Sequence, residues 1–163
     1  MQISWKGNDS FFVVIQQQKE QVKIAIDPSR QTEADITILS QEKGVAAKQS
    51  FVIASPGEYE IKGVFIQGIA PAIYTIEGEG IRVCSLGGFS GKELNPDQVE
   101  KIGNIDILLA PESSDYQNIV RQIEPRIVVD IKSIKGVEAQ PKLVLKQKDL
   151  TGEETKHVVL SVV

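Results

Sequence analysis

The most specific stretch of this chain is Pro56-Gly57-Glu58-Tyr59-Glu60-Ile61-Lys62-Gly63-Val64. Polar and apolar residues alternate on both sides of Lys62-Gly63, which is the pattern of two half-buried strands. Glycine readily adopts the positive φ that a tight hairpin turn requires. The stretch therefore predicts a β-hairpin over residues 59–67.

Short segments rich in Val, Ile and Phe surround this hairpin and end at turn residues. Those at residues 36–39 and 51–54 are continuous apolar runs, which is typical of strands buried on both faces. A second hairpin is predicted where Gly78-Glu79-Gly80 joins two such segments. Together these segments predict strands at residues 2–5, 10–16, 22–26, 36–39, 51–54, 72–77 and 81–85.

Helices enter the pattern only after Gly91. Asn95 and Pro96 have the residue types of an N-cap and a first helical position, and this helix is expected to end near Gly103.

A second helix is predicted to run to about residue 123, with Ser113 or Ser114 as its N-cap. Ser114 and Gln117 have the spacing of a capping box.

Strands are predicted at residues 106–110, 126–131, 143–146 and 157–162, so strands and helices alternate in this half of the chain. Such alternation favours parallel pairing through right-handed crossovers. The chain is therefore expected to form one α+β domain over residues 1–163, with packed sheets and helices outside them.

Composition limits the possible functions. The net charge is −4 and the basic residues are scattered, which argues against a nucleic-acid partner. No apolar run approaches the ~20 residues of a membrane span, so no membrane association is expected. A single cysteine, Cys84, fits a reducing compartment and a cytoplasmic location. The chain also has a single histidine, His157, so it is poor in the imidazole and thiolate ligands of a catalytic zinc site.

Several motifs occur in a characteristic order along nearly the whole chain. Besides the hairpin stretch, they are Gln2-Ile3-Ser4-Trp5-x-Gly7, Ile26-Asp27-Pro28, Ala34-Asp35-Ile36-Thr37-Ile38-Leu39, Gly80-Ile81-Arg82-Val83-Cys84-x-Leu86-Gly87 and Ile123-Glu124-Pro125-Arg126-Ile127-Val128. This series resembles the small bacterial metallo-β-lactamase-fold, Zn-dependent hydrolases. The resemblance implies an αββα sandwich, shortened near residues 69–72. It also implies a metal site at the edge where loops leave the strands.

The resemblance also implies metal-site positions that this chain fills with other residues. The family has a histidine after the first-loop glycine, a His-x-His-x-Asp-His motif, an aspartate after Leu-Gly and a last histidine after the Glu-Pro-x-Ile-Val strand. The residues at these places are, in chain order, Asn8, Gln41, Lys43, Val45, Ala46, Gly88 and Lys132. Asp27 stands at a position that could support the ligands, although an Asx-type turn explains it equally well.

Lysine at a ligand position disfavours a metal ion, because an ammonium group has no lone pair and repels the cation. At ~4 Å and an effective dielectric near 20, each unit of metal charge meets repulsion of about 4 kcal/mol. No cofactor is therefore expected. If Lys43 and Lys132 converge on one pocket, they could instead bind a small anion.

Three functional hypotheses follow. The first is a catalytically inactive relative of the hydrolases, retained as a binding or assembly module. The second is a hydrolase that uses relocated carboxylates such as Asp27, Glu42 and Glu58 with Mg²⁺ or Mn²⁺. The third is assembly with a second copy or with a related hydrolase-fold subunit, through the exposed-looking residues 158–163. His157 is interpreted as a solvated or structural residue of an edge strand, and Cys84 as a buried apolar residue.

Overall fold

Two mixed β-sheets face each other in the computed structural model, which describes residues 1–41, 44–110 and 115–163. The strands of these residues are β1 (Gln2–Trp5), β2 (Phe11–Gln17), β3 (Glu20–Ile26), β4 (Ile36–Ile38), β5 (Phe51–Ile53), β6 (Gly57–Ile61), β7 (Val64–Ile69), β8 (Ile73–Gly78), β9 (Ile81–Ser85), β10 (Ile107–Leu109), β11 (Ile127–Asp130), β12 (Leu143–Val144) and β13 (Lys156–Val159). The first sheet has the order β12-β1-β2-β3-β4-β5, and the second has the order β13-β11-β10-β9-β8-β7-β6. The predicted α+β sandwich of two sheets is confirmed.

The hairpin expected from the opening stretch is formed by β6 and β7. Ile61 pairs with Val64, so Lys62 and Gly63 are the two turn residues. Their φ angles are 51° and 75°, as a two-residue turn that follows the strand twist requires. The predicted hairpin is confirmed, and its strand β6 forms one edge of the second sheet.

The core lies between the two sheets. Alternate residues of β2 and β3 from the first sheet, such as Ile15 and Ile24, meet alternate residues of β8 and β9 from the second, such as Ile76 and Val83. All four are fully buried. The period of two seen in the sequence therefore sorts each strand into a core face and an outer face.

Both α-helices that the described residues form pack on the outer face of the second sheet. These are α1 (Pro96–Ile102) and α2 (Gln117–Ile123), and they cover a second apolar cluster that includes Cys84 and Leu108. At α1, Asn95 accepts a 2.9 Å hydrogen bond from the amide of Gln98, which confirms the predicted cap.

The start of α2 differs from the prediction. Ser113 and Ser114 lie outside the described residues, and Tyr116 occupies the N-cap position without a side-chain cap. Gln117 is the first helical residue, so it cannot complete a capping box with Ser114.

Strand β5 corrects one expectation about burial. The 51–54 run was predicted to be buried on both faces, but Phe51 is 51% exposed and Val52 is 44% exposed. The reason is its position, because β5 is the edge strand of the first sheet. Both β3–β4 and β4–β5 pair in parallel, so parallel pairing is not confined to the second half of the chain, for which it was predicted.

The C-terminal strand is shorter than predicted. It ends at Val159 in the second sheet, after which Val162 bridges to Trp5 of the first sheet. Leu160 is buried at this crossing, whereas Val162 is 58% exposed and Val163 is 45% exposed. The end of the chain thus ties the two sheets together. No helix of the described residues is long and apolar enough to cross a membrane.

Candidate functional site

The ends of several strands meet at one end of the sandwich, and Asp27 is the buried group among them. It follows β3 directly, has a φ of 44° and is only 8% exposed. Its Oδ1 accepts a 2.7 Å hydrogen bond from the backbone amide of Ser40, and its Oδ2 accepts from the Ser40 hydroxyl. Burial raises the pKa of the Asp27 carboxyl above its ordinary value, although the bonds from Ser40 act in the opposite direction.

Ser40 also reaches the second sheet. Its Oγ accepts a 3.0 Å hydrogen bond from the amide of Gly88, which lies just beyond β9. A side chain at Gly88 would place its Cβ 2.8 Å from Cγ of Gln41 and 3.1 Å from the Ser40 carbonyl oxygen. Glycine at this position therefore permits the close approach, and one hydrogen-bonded link, Asp27–Ser40–Gly88, joins the ends of β3, β4 and β9.

A small cavity lies beside this link. Its volume is about 150 Å³, and its walls come from the β1–β2 turn and from the segments that follow β3 and β4. Inside it, Nε2 of Gln41 donates to Oδ2 of Asp9 over 3.3 Å. The lining residues are Asn8, Asp9, Asp27, Ser29, Gln41 and Gly44. The structure thus brings together Asn8, Asp27 and Gln41, with Gly88 attached through Ser40.

The donors around this cavity do not fit a zinc centre. Zinc sites are built from imidazole, thiolate and carboxylate groups, whereas the lining side chains offer two carboxylates, two amides and one hydroxyl. Both oxygens of Asp27 already accept hydrogen bonds from Ser40. In the described ranges, no group of three or more His, Cys, Asp or Glu residues could hold a metal ion.

The remaining predicted positions lie around the cavity or apart from it. Lys43, together with Glu42, lies outside the described residues. Val45 is 39% exposed, and its amide donates to the carbonyl oxygen of Pro28 over 2.8 Å.

Ala46 follows Val45, and its carbonyl oxygen accepts a 3.2 Å hydrogen bond from Nε2 of Gln31. Lys132 is exposed beyond β11 and does not line the cavity. Convergence of Lys132 with Lys43 therefore stays a prediction.

Asp27 and Glu58, the two described carboxylates of the alternative hypothesis, do not lie at one site. Glu58 is exposed and pairs with Gln67 of β7. Gln67 in turn pairs with Thr75 of β8, which pairs with Cys84 of β9. Residues directly opposite one another in a sheet share a face, so Glu58 lies on the helix-covered side of the second sheet. Of the two that the structure describes, Asp27 lines the cavity and Glu58 does not.

Sequence reasoning missed two members of the site, Ser40 and Asp9. Ser40 directly follows the predicted strand at residues 36–39 and carried no further signal, whereas in the structure it bonds to Asp27. Asp9 carried no signal beyond its place in a predicted turn between strands. Both roles depend on contacts between segments that are distant in sequence, 13 residues for Ser40–Asp27 and 32 for Gln41–Asp9.

The histidine belongs to a separate cluster on the helix-covered side of the second sheet. Asp130, at the end of β11, is 1% exposed. Its Oδ2 lies 2.8 Å from Nδ1 of His157, and its Oδ1 accepts a hydrogen bond from the Tyr116 hydroxyl. Burial, and then this bond to Asp130, raise the pKa of Tyr116 well above its ordinary value. The structural interpretation of His157 is thus supported, with Asp130 as a partner that the sequence did not suggest.

Cys84 is fully buried in the apolar cluster beneath α1 and α2, as predicted. Burial raises the pKa of its thiol to about 12. A thiol with so high a pKa holds almost no thiolate at neutral pH, so Cys84 is not suited to act as a nucleophile.

Comparisons with known proteins agree with this fold. Residues 2–132 match the family model described as beta-lactamase superfamily domain. A crystal structure from Thermotoga maritima, assigned to the Zn-dependent hydrolases of the metallo-β-lactamase superfamily, superposes with a TM-score of 0.81, at 26% identity and 98% coverage of both chains. Igni18, a metallo hydrolase from the hyperthermophilic archaeon Ignicoccus hospitalis, superposes with a TM-score of 0.53 at 15% identity, covering 78% of this chain and 80% of that one. No curated protein sequence matches the chain.

Proposed function

Because this chain belongs to the β-lactamase superfamily, we propose that it is a catalytically inactive member of that family, retained as a binding or assembly module. Hydrolysis by a metal-dependent member requires an ion that lowers the pKa of a bound water molecule. The proposal is that this chain keeps the scaffold and lacks the ligands for that ion.

The single observation that carries the proposal is the Asp27–Ser40–Gly88 link. It joins three strand ends by hydrogen bonds alone, through the two oxygens of Asp27 and the hydroxyl of Ser40. The link makes buried Asp27 part of the structure that holds the strand ends together. With Asp9 it leaves the cavity two carboxylates, whereas a catalytic zinc site takes three protein ligands from imidazole, thiolate and carboxylate groups.

The residues beside the link support the same conclusion. Gln41 offers an amide that is already bonded to Asp9, and Gly88 has no side chain. Val45 and Ala46 are apolar and contribute no donor atom. These residues stand where the family resemblance implies imidazoles and carboxylates, and none of them supplies the soft donor that zinc selects.

Zinc titration of two matched proteins tests the proposal. The wild type is compared with the triple variant Gln41→His, Lys43→His, Ala46→His, which returns three imidazoles to the loop after β4. We expect no zinc-dependent rise in the Tm of the wild type, and a saturable rise in the variant, because a bound ligand stabilises the folded state by mass action. Saturable stabilisation of the wild type at micromolar zinc would contradict the proposal.

The second candidate function is a hydrolase that uses Mg²⁺ or Mn²⁺. One observation favours it, namely that the cavity at Asp27 is lined by oxygen-bearing side chains, the donors that these hard ions prefer. Phosphodiester, lactone and thioester substrates test this candidate, with Asp9→Asn as the matched variant. Turnover that is lost with a chelator and reduced by Asp9→Asn would support it, and the absence of turnover would exclude it for these substrates.

A further inference from the structure

A second, smaller cavity lies on the outer face of the first sheet, near the site already described. Its volume is about 90 Å³. Phe11 faces the core and is 2% exposed, so the next residue, Phe12, faces outward. Phe12 and its neighbour on β3, Ala25, form the floor. The segment at residues 28–32 supplies much of the wall.

The most informative residue of this cavity is Ser10. It is 3% exposed and lines the cavity, yet its hydroxyl has no hydrogen-bond partner among the residues that the structure describes. Its backbone is fixed, because its amide donates to Gly7 over 3.0 Å and its carbonyl oxygen accepts from Lys6 over 2.8 Å. A buried hydroxyl without a partner is unfavourable. A ligand oxygen in the cavity would supply the missing partner.

The charge of the cavity indicates the sign of that ligand. Lys6 and Arg30 both line it, and within the described part of the chain neither forms an ion pair. Nζ of Lys6 lies 5.8 Å from the centre of the Phe12 ring, which holds the ammonium group over the cavity floor. No Asp or Glu is among the described lining residues.

Two further hydroxyl groups complete the lining. Ser29 and Thr32 contribute them from the wall. An oxyanion accepts hydrogen bonds from hydroxyl, ammonium and guanidinium groups alike, and bonds to charged donors are the strongest of these. A volume of about 90 Å³ corresponds to roughly three water molecules of liquid volume, which suits an anion of a few heavy atoms.

We propose that this cavity binds a small oxyanion, either a carboxylate or a phosphate group, between Lys6, Arg30 and Ser10. Phe12 and Ala25 provide an apolar floor for a short carbon chain on a carboxylate ligand. The cavity shares Ser29 with the one beside Asp27, but its lining includes none of the positions at which the family resemblance implies a metal ligand. The proposal therefore does not depend on whether this chain has lost a metal centre.

Amide NMR titration of the full chain tests the proposal, with inorganic phosphate and propionate as the two probes at constant ionic strength. We expect saturable shifts at Lys6, Ser10 and residues 28–32 with at least one probe. Lys6→Gln and Arg30→Gln each weaken binding by about tenfold, because each removes a charge-assisted hydrogen bond. Ser10→Ala should weaken binding although it leaves the net charge unchanged. Such a loss distinguishes a specific hydrogen bond in the cavity from a nonspecific attraction of anions to positive charge.

Lys48→Gln is the matched control. Lys48 is an exposed lysine that lines a different groove, so its loss leaves the affinity unchanged. Stronger binding of propionate would identify a carboxylate ligand, and stronger binding of phosphate would identify a phosphate ligand. The proposal is overturned if neither probe gives saturable shifts at these residues, or if all the variants bind with the affinity of the wild type.

Discussion

The backbone amide of Ser40 donates a 2.7 Å hydrogen bond to Oδ1 of Asp27, while the Ser40 hydroxyl donates to Oδ2 of the same carboxylate. One residue thus satisfies both oxygens of a carboxylate that is 8% exposed. The same hydroxyl accepts from Gly88, so a single serine connects the two sheets at the end where the family resemblance implies a metal. These hydrogen bonds join the ends of the strands without a metal ion.

Replacing Ser40 by alanine should lower the free energy of unfolding by about 1–3 kcal/mol, mainly because Oδ2 of Asp27 loses its partner in a partly buried site. The exposed amide of Gly88 also loses its acceptor. Urea unfolding measures the change. Ser90→Ala is the matched control, since Ser90 is exposed. A loss for Ser40→Ala no larger than that for the control would mean that the link contributes little to stability.

Asp27 should make stability depend on pH. Burial raises its pKa in the folded state above the ordinary value of 3.8, so the folded protein binds this proton more readily than the unfolded chain. The resulting stabilisation is present at low pH and is lost as pH rises through the raised pKa. Relative to Asp27→Asn, the free energy of unfolding of the wild type should therefore increase from about pH 7 to about pH 4.

Urea unfolding of the wild type and Asp27→Asn over this pH range measures that difference. Asparagine does not titrate and tolerates the φ of 44° at this position, so it is a suitable reference. A difference that is constant, or that decreases toward low pH, would contradict the assigned direction.

The Asp130 cluster should contribute to stability rather than to catalysis. Asp130→Asn keeps the size of a side chain that is 1% exposed but disturbs its contacts with Tyr116 and His157. We expect a loss of about 1–3 kcal/mol in the free energy of unfolding. Asp97→Asn, which alters an exposed ion pair with Lys101, should cost at most about 1 kcal/mol. Equal losses in the two variants would refute the role given to Asp130.

Cys84 should resist thiol reagents in the folded protein. Its pKa of about 12 leaves almost no thiolate near pH 8, and the side chain is fully buried. Labelling with 5,5′-dithiobis(2-nitrobenzoic acid) should be negligible in buffer and complete in urea. Labelling of the folded protein at the rate of an unfolded thiol would show that the helix-covered cluster opens readily.

Much of the fold could be predicted from local sequence, because strands and caps depend on neighbouring residues. The turn at Lys62-Gly63 and the cap at Asn95 are fixed by φ preference and by a hydrogen bond three residues away. The exposure of Phe51 was not predictable in this way, since an apolar run does not reveal whether its strand lies at the centre or the edge of a sheet.

The site was predictable only as a set of positions. The family resemblance implied that Asn8, Asp27, Gln41 and Gly88 lie near one another, and the structure brings them together. The sequence did not indicate that Ser40 bonds to Asp27, because this contact joins segments that follow two different strands. The pairing of His157 with Asp130, 27 residues apart, likewise depends on the parallel alignment of β11 with β13.

If this member of the β-lactamase superfamily has lost its metal centre, as proposed, the purified protein carries no tightly bound ion. The most direct measurement is the metal content of the wild-type protein, purified without chelator or affinity metal and analysed by inductively coupled plasma mass spectrometry. We expect zinc, manganese and iron far below one ion per chain. One or two ions per chain, retained through dialysis, would contradict it.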